Sequence, residues 1–191
     1  MTQALFFIVW VIIVLGVTVF VTRMRMKAMK AAAQNAGLSG VRARFWGDVV
    51  GSWRGYTVKL LIRGGGRNGP ERAVVEIAAA TPARLAIHKR LQMNLNISPF
   101  GPPIVQTAFD GEYVVRSDDN MLAQRLLGDE KITAEMRLAI LERRDELELN
   151  KGHVRATRVT RSTSREQAIG VAFKLVAVVV ERLGLPPVES G

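Results

Sequence analysis

An apolar run near the N-terminus constrains this chain more than any other feature. Residues 4–21, from Ala4 to Val21, are all apolar or glycine except Thr18. A helix of about 20 apolar residues spans a bilayer core that is about 30 Å thick. Since hydrocarbon offers the backbone no hydrogen-bond partner, a spanning segment must pair its own N–H and C=O groups, as a helix does. The run therefore predicts a transmembrane helix, with the lipid bilayer as its partner.

The charges beside this run predict its orientation. Arg23, Arg25, Lys27 and Lys30 follow it, whereas the residues before it carry no charged side chain. Because basic residues mark the cytoplasmic end of a span, we expect a single-pass protein of the cell (inner) membrane with its N-terminus outside and its C-terminal domain in the cytoplasm. A cleaved signal peptide would carry its basic residues before the apolar run. The sequence "AAAQ" at 31–34 resembles a cleavage site, but it lies beyond the basic block.

The basic segment is expected to continue the helix to about Ala36, because good helix formers fill it and Gly37 suits a helix C-terminus. Its four basic residues are candidates to bind anionic lipid headgroups, at about 1 kcal/mol each. The same pattern also serves as a plain orientation signal in anchors of this kind. We divide the chain into an anchor with a basic extension, residues 1–37, and a domain, residues 38–191.

Composition excludes several kinds of site. There is no cysteine, which removes disulfides, thiolate zinc sites and cysteine nucleophiles. The two histidines, His88 and His153, are not in a ligand spacing and are predicted at the surface.

The net charge of +10 divides into +8 for residues 1–63 and +2 for residues 64–191. A nucleic-acid partner is therefore not expected, since a domain that binds nucleic acid would more often be basic throughout its folded part.

The residues after Gly40 predict a sheet. Val58, Leu60 and Ile62 alternate with polar residues, which indicates a strand with one buried face. The stretch 41–55 predicts an earlier strand, with Gly47, Gly51 and Gly55 as bulge or turn positions. The segment "GGGRNGP" (64–70) predicts a hairpin turn rather than a phosphate loop. Residues 91–97 alternate again and predict a further strand. The segment "SPFGPP" (98–103) is a possible boundary between sub-halves 38–100 and 101–191.

The second half mixes helices and strands. The predicted elements, in order, are a strand Glu112–Arg116, a helix from about Asp119 to Leu127, a helix capped by Thr133 and ending near Arg144, a hairpin at 146–160, and a long helix opened by the capping box of Ser164 and Gln167 and ended by Gly184. Because Arg158 shares a face with apolar residues, its strand is expected at a sheet edge or against an acidic partner. The predicted fold class is α+β: an N-terminal transmembrane helix followed by a mainly antiparallel sheet packed with about three helices.

Three carboxylates are the remaining candidates for chemistry. Asp110, Asp118 and Asp119 lie within "FDGEYVVRSDDN", and carboxylate oxygens suit hard cations and acid–base work. The alternative is a strand-to-helix junction in which Asp118 and Asp119 accept backbone N–H groups at a helix start. The sequence assigns no catalytic set, no cofactor and no metal ligands.

Two stretches carry a resemblance. The motif "SWRGYTVKL" and the stretch "YVVRSDDNMLAQRLL" precede an amphipathic helix, a hairpin and a final apolar helix, all behind a single span. This order of elements, over residues 45–185, resembles uncharacterised bacterial single-span membrane-anchored proteins built around a domain of unknown function. The resemblance implies a bacterial, membrane-tethered domain. The family has no assigned reaction, so no site residues follow from it.

These observations favour a membrane-tethered, non-enzymatic scaffold or interaction domain, with a possible protein partner in the membrane. Two alternatives stay open: an anionic-lipid-binding module at the membrane surface, and a carboxylate-based, metal-dependent enzyme. The specific role and the oligomeric state do not follow from the sequence.

Overall fold

The computed structural model describes residues 2–44, 47–65, 69–89, 111–142, 145–160 and 163–188, with side chains from Phe6 onward. Within these residues the helices are α1 (Thr2–Asn35), α2 (Asn120–Gly128), α3 (Glu130–Ala139) and α4 (Arg165–Leu183). The strands are β1 (Ser39–Ala43), β2 (Val49–Trp53), β3 (Tyr56–Arg63), β4 (Arg72–Ile77), β5 (Leu85–Lys89), β6 (Tyr113–Ser117), β7 (Glu146–Asn150) and β8 (His153–Val159).

The eight described strands form one sheet in the order β1-β2-β3-β4-β8-β7-β5-β6. Every neighbouring pair is antiparallel. The first four strands form a meander, and the β7–β8 hairpin lies between β4 and β5. The predicted α+β class, an apolar helix followed by a mainly antiparallel sheet with helices, is confirmed. The predicted strand at 91–97 and the proposed boundary at 98–103 lie outside the described residues.

One face of the sheet forms the core. Val58, Leu60 and Ile62 of β3 are buried while Thr57 and Arg63 are exposed, as the alternation predicted. Across the sheet the same face continues through apolar side chains: Ala73, Val75, Ile77, Val154, Ala156, Leu147, Leu149, Leu85 and Ile87. Helix α4 packs on β4 and β8, and α1 and α3 pack beside it. The core is therefore a layer between this sheet face and the helices.

The opposite face of the sheet is charged. Lys59, Glu76, Arg155 and Glu148 are register neighbours on β3, β4, β8 and β7. Arg155 lies 2.8 Å from Glu76 and 3.1 Å from Glu148, measured between guanidinium nitrogens and carboxylate oxygens. Alternating charges in one row stabilise adjacent strands across this half-buried face.

Helix α1 continues past the apolar run to Asn35, close to the predicted end, and Gly37 then takes a positive φ of 71°. Its large apolar side chains in the run are exposed, including Phe6, Trp10 and Phe20. By length and composition this helix is long and apolar enough to cross a membrane.

The capping predicted for α4 is confirmed. Ser164 accepts the N–H of Gln167, and the Gln167 side chain accepts the N–H of Ser164. Gly184 follows with a φ of 63° and ends the helix. An N-cap of this type contributes about 1 kcal/mol to helix stability.

Two predicted elements need correction. The single strand predicted over 41–55 is divided into two strands, β1 and β2, because Gly47, one of its predicted bulge or turn positions, turns the chain with a φ of 80°. The prediction that Thr133 caps the next helix is wrong. Asp129 is the N-cap and accepts the N–H groups of Lys131 and Ile132, so α3 starts a turn earlier; it also ends earlier, at Ala139.

The environment of Arg158 also differs from the prediction. β8 is an interior strand between β4 and β7, not an edge strand. Arg158 is only 7% exposed, and its Nη1 atom donates to the carbonyl oxygens of Leu138 and Ala139. The buried guanidinium therefore satisfies carbonyl groups at the C-terminus of α3, where a cation is also favourable for the helix dipole. His88, expected in solvent, is half-buried.

Candidate functional site

The last turns of α1 belong to the core of the domain. Met29, Ala32 and Ala33 are fully buried in the same apolar cluster as the sheet and α4. The helix therefore passes from an exposed apolar segment into the core without a break. Because a packed helix cannot rotate independently of its core, the orientation of the domain relative to the apolar segment is set by this packing.

A carboxylate joins three elements just below that segment. The Nε atom of Arg25 in α1 lies 2.9 Å from Oε1 of Glu71, which immediately precedes β4. The Nε atom of Arg165, the first residue of α4, lies 2.7 Å from Oε2 of the same carboxylate. Arg25 also donates to the carbonyl oxygen of Gly64 at 2.9 Å. We call these three charged residues, Arg25, Glu71 and Arg165, the junction cluster.

The electrostatics of the junction cluster keep Glu71 charged. Burial by itself raises the pKa of this carboxyl, but the hydrogen bond and charge of Arg165, followed by those of Arg25, outweigh it. The pKa of Glu71 therefore lies below its usual value of 4.5. At neutral pH the carboxylate holds both arginines.

The four basic residues predicted as lipid-headgroup candidates separate into two kinds. Arg23, Lys27 and Lys30 are exposed, and none of them forms a salt bridge within the described residues. Arg25 is part of the junction cluster and binds within the protein. Three side chains are thus available to a headgroup, and the fourth positions the helix.

A cavity of about 540 Å³ opens between α1 and the start of α4. We call it the junction cavity; Lys27, Glu71, Arg165 and Glu166 are among its lining residues. The capping box occupies the N–H groups of Ser164 and Gln167. It leaves the first-turn N–H groups of Arg165 and Glu166, which carry the positive end of the helix dipole. With Lys27 this end favours an anionic group, whereas Glu166 opposes it.

The three carboxylate candidates do not form one cluster. Asp119 is the N-cap of α2 and accepts the N–H groups of Met121 and Leu122 at 2.8 and 3.2 Å, which confirms the capping prediction for this residue. Asp118 does not cap the helix. Its Oδ1 atom accepts the N–H of Arg84 at 2.6 Å and so joins the start of β5 to the end of β6. Asp110 lies outside the described residues.

Asp118 lines a smaller cavity, of about 200 Å³, with Arg84, Arg116 and Glu148. Two cations and two anions face one another there, so their charges balance. Within the ranges that the structure describes, no group of three or more histidine, aspartate or glutamate side chains could hold a metal ion.

Sequence reasoning missed the charged residues that organise this end of the domain. The partners of Glu71 are 46 and 94 positions away along the chain. Asp145, 1% exposed, accepts N–H groups from Leu141, Glu142 and Val159, the last from 14 positions away. No local pattern marks such residues.

For Asp129 a signal did exist in the sequence, because Asp followed by an acidic residue is typical of a helix start.

Comparison with known proteins gives a likeness in fold. No protein-family model matches the chain, and no curated protein matches it significantly. The crystal structure of the mycobacterial trehalose monomycolate transport factor A, TtfA, is similar, with a TM-score of 0.50 and 13% sequence identity. The likeness covers 88% of this chain and 99% of that chain. It therefore includes most of the fold described above.

Proposed function

We propose that this protein is a membrane-tethered, non-enzymatic scaffold or interaction module. Its domain, residues 38–191, would face the cytoplasm from a bacterial inner membrane, with the N-terminus outside. The observation that carries the proposal is the continuity of α1, which runs from an apolar segment of membrane-spanning length into the core of the domain. A module attached in this way presents the same surfaces to its surroundings at all times.

The junction cluster supports a close and fixed attachment. Arg25 lies four residues after Val21, which is about 6 Å along a helix axis. Its contacts with Glu71 and Gly64 therefore begin almost where the apolar run ends. Cleavage of a signal peptide at 31–34 would remove Met29, which is fully buried in the domain. Both observations favour a retained anchor.

The helices that cover the sheet supply candidate contact points for a protein partner. Met121 at the start of α2 is 80% exposed, and Leu138 near the end of α3 is 57% exposed. Large apolar side chains of this kind are suited to a protein interface. The similar structure is named as a transport factor, which supports an accessory role in a membrane assembly; at 13% identity we carry no substrate over from it.

The absence of cysteine makes the topology directly testable. Thr2→Cys and Lys151→Cys place single thiols before the span and on the exposed β7–β8 turn. We expect a membrane-impermeant maleimide to label the first variant in spheroplasts and the second only after lysis. Labelling of Lys151→Cys in intact spheroplasts would overturn the cytoplasmic orientation.

The interaction role is tested by photo-crosslinking in cells. A photoreactive amino acid at Met121 or at Leu138 should give discrete adducts with another protein, and the same residue at Lys151 serves as the matched exposed control. The proposal fails if Met121 and Leu138 both give no adduct beyond the Lys151 control while the labelled protein reaches the membrane.

A second candidate function is an anionic-lipid-binding module at the membrane surface. The junction cavity, with Lys27 on its wall and Arg23 and Lys30 exposed nearby on α1, favours it. The full chain in nanodiscs should enrich phosphatidylglycerol over phosphatidylcholine, and added salt should reduce the enrichment. A Lys27→Gln, Lys30→Gln variant should lose most of it, whereas Lys131→Gln on α3 should not. Equal enrichment in all three proteins contradicts this function.

A further inference from the structure

Two arginines face each other where β3 ends and β4 begins. Arg63 and Arg72 are direct register partners, so their side chains leave the sheet side by side on its charged face. Like charges placed directly opposite destabilise a strand pair. Within the described residues neither arginine forms a salt bridge. Glu71, the acidic neighbour of Arg72 in sequence, is engaged by Arg25 and Arg165.

These two arginines line a cavity of about 300 Å³, which we call the sheet-face cavity. Arg155, Glu146 and Thr157 also line it. Arg155 is held in place by Glu76 and Glu148, so its guanidinium is fixed at the wall. Among its described lining residues are therefore two arginines without a salt bridge, Arg63 and Arg72, one arginine that is already paired, Arg155, and one carboxyl group.

Glu146 is the acidic residue among the described residues that line the cavity. Burial, and next the negative charge of Glu148, raise the pKa of Glu146, and the arginines around it reduce this effect only in part. Since Arg155 is already paired with Glu76 and Glu148, the positive balance of the described lining comes from Arg63 and Arg72 set against Glu146.

The rim of the cavity is preformed. Gly64, at the end of β3, has a φ of 80°, and a Cβ atom there would lie 2.7 Å from the carbonyl oxygen of Pro70. The Gly65 N–H donates to the Gly69 carbonyl at 3.0 Å, and Arg25 of α1 holds the Gly64 carbonyl. The hairpin that carries both arginines is therefore pinned to the helix that leaves the apolar segment.

From this geometry we infer that the sheet-face cavity binds the phosphate group of a phosphomonoester. Guanidinium groups present paired N–H donors that match phosphate oxygens, and a dianionic phosphate would neutralise Arg63 and Arg72 together. The volume is sufficient for a phosphate with a small organic substituent. The same group is found on phosphatidic acid and on soluble phosphate esters, and the rim of the cavity is joined to α1 through the bond from Arg25 to the Gly64 carbonyl.

The test uses the full chain in phosphatidylcholine nanodiscs. Calorimetric titrations use inorganic phosphate, glycerol 3-phosphate and dihexanoyl phosphatidic acid. We expect binding of at least one ester and at least a tenfold loss of affinity in Arg63→Gln, Arg72→Gln. Arg125→Gln, Lys131→Gln, which also removes two positive charges but from exposed positions on α2 and α3, should bind as the unmodified chain does. Tighter binding of the lipid supports a membrane ligand, and equal or tighter binding of glycerol 3-phosphate supports a soluble one.

A conservative variant guards against loss of the fold. Arg63→Lys, Arg72→Lys keeps both charges but removes the paired donors, so it should retain the unfolding temperature and bind several-fold more weakly. The inference is overturned if neither ester binds, or if both Arg63, Arg72 double variants bind the esters as tightly as the unmodified chain does. Neither result affects the topology and crosslinking tests, which do not depend on this cavity.

Discussion

The Nε atom of Arg25 and the Oε1 atom of Glu71 lie 2.9 Å apart, and this contact joins the helix that leaves the apolar segment to the sheet. Since Arg165 of α4 binds the other oxygen of the same carboxylate, one side chain fixes two helices against one strand. Besides the core packing of α1, the attachment of the domain next to the apolar segment therefore includes a charge that can be removed by a single substitution.

Glu71→Gln should lower the free energy of unfolding at pH 7 by about 2 kcal/mol, because two partly buried arginines lose a charged partner. Chemical unfolding of the full chain in micelles measures this, and Glu166→Gln, at an exposed neighbouring acid, is the control. The folded-state pKa of Glu71 is depressed, so its contribution is present above about 4.5 and is lost as the pH falls through the folded-state value. A deficit that stays constant down to acidic pH contradicts this account.

Arg158→Met should destabilise the domain by about 2 kcal/mol, although methionine can occupy much of the same volume. The carbonyl groups of Leu138 and Ala139 would lose their buried donor. Arg125→Met, at an exposed helical position, should change stability by less than about 0.5 kcal/mol. Equal effects of the two substitutions in the same unfolding assay would show that the α3 contact contributes nothing.

Asp119→Ala should lower the free energy of unfolding by about 1 kcal/mol because α2 loses its N-cap. Asp119→Ser should lower it by much less, because serine is also a good N-cap. Chemical unfolding of the two variants is the measurement.

Asp118→Asn should weaken only the hydrogen bond from the Arg84 N–H. Magnesium or manganese should leave the unfolding temperature of the unmodified chain unchanged. A metal-dependent increase that Asp118→Asn abolishes would restore the metal-site hypothesis.

His88 should make stability depend on pH. Burial, and next the positive charge of Arg116, lower the pKa of His88 below its usual 6.5. The unfolded chain therefore takes up a proton that the folded chain resists, and stability should decline as the pH falls from about 7 through 6.5 towards the folded-state pKa. His88→Gln should remove that part of the decline. Parallel unfolding curves for the two proteins between about pH 7.5 and 5.5 would contradict the prediction.

Two glycines should respond oppositely to alanine. Gly64→Ala should destabilise the chain by more than about 1 kcal/mol, because of the positive φ and the contact with the Pro70 carbonyl. Gly170→Ala, in the middle of α4 with nothing within 4 Å of its Cβ position, should stabilise it by about 1 kcal/mol. Thermal unfolding of both variants is the measurement, and a shift in the same direction for both would be inconsistent with the structure.

Several elements could be predicted because their causes are local. The apolar run requires a long helix, the alternation in β3 separates a buried face from an exposed one, and the Ser164–Gln167 box starts α4. Each depends on residues a few positions apart, whose spacing alone determines which side chains share a face. Asp119 as an N-cap belongs to the same class.

The tertiary structure decided which elements became neighbours. Periodicity assigns a face to each strand but not a partner, so the position of the β7–β8 hairpin between β4 and β5, and the inward position of Arg158, could not be read locally. The same applies to Glu71, whose two arginines come from distant helices. Sequence alone determined that the chain has an apolar helix and an α+β domain. Long-range packing decided how the apolar helix and the domain are joined and where the charged cavities of the domain lie.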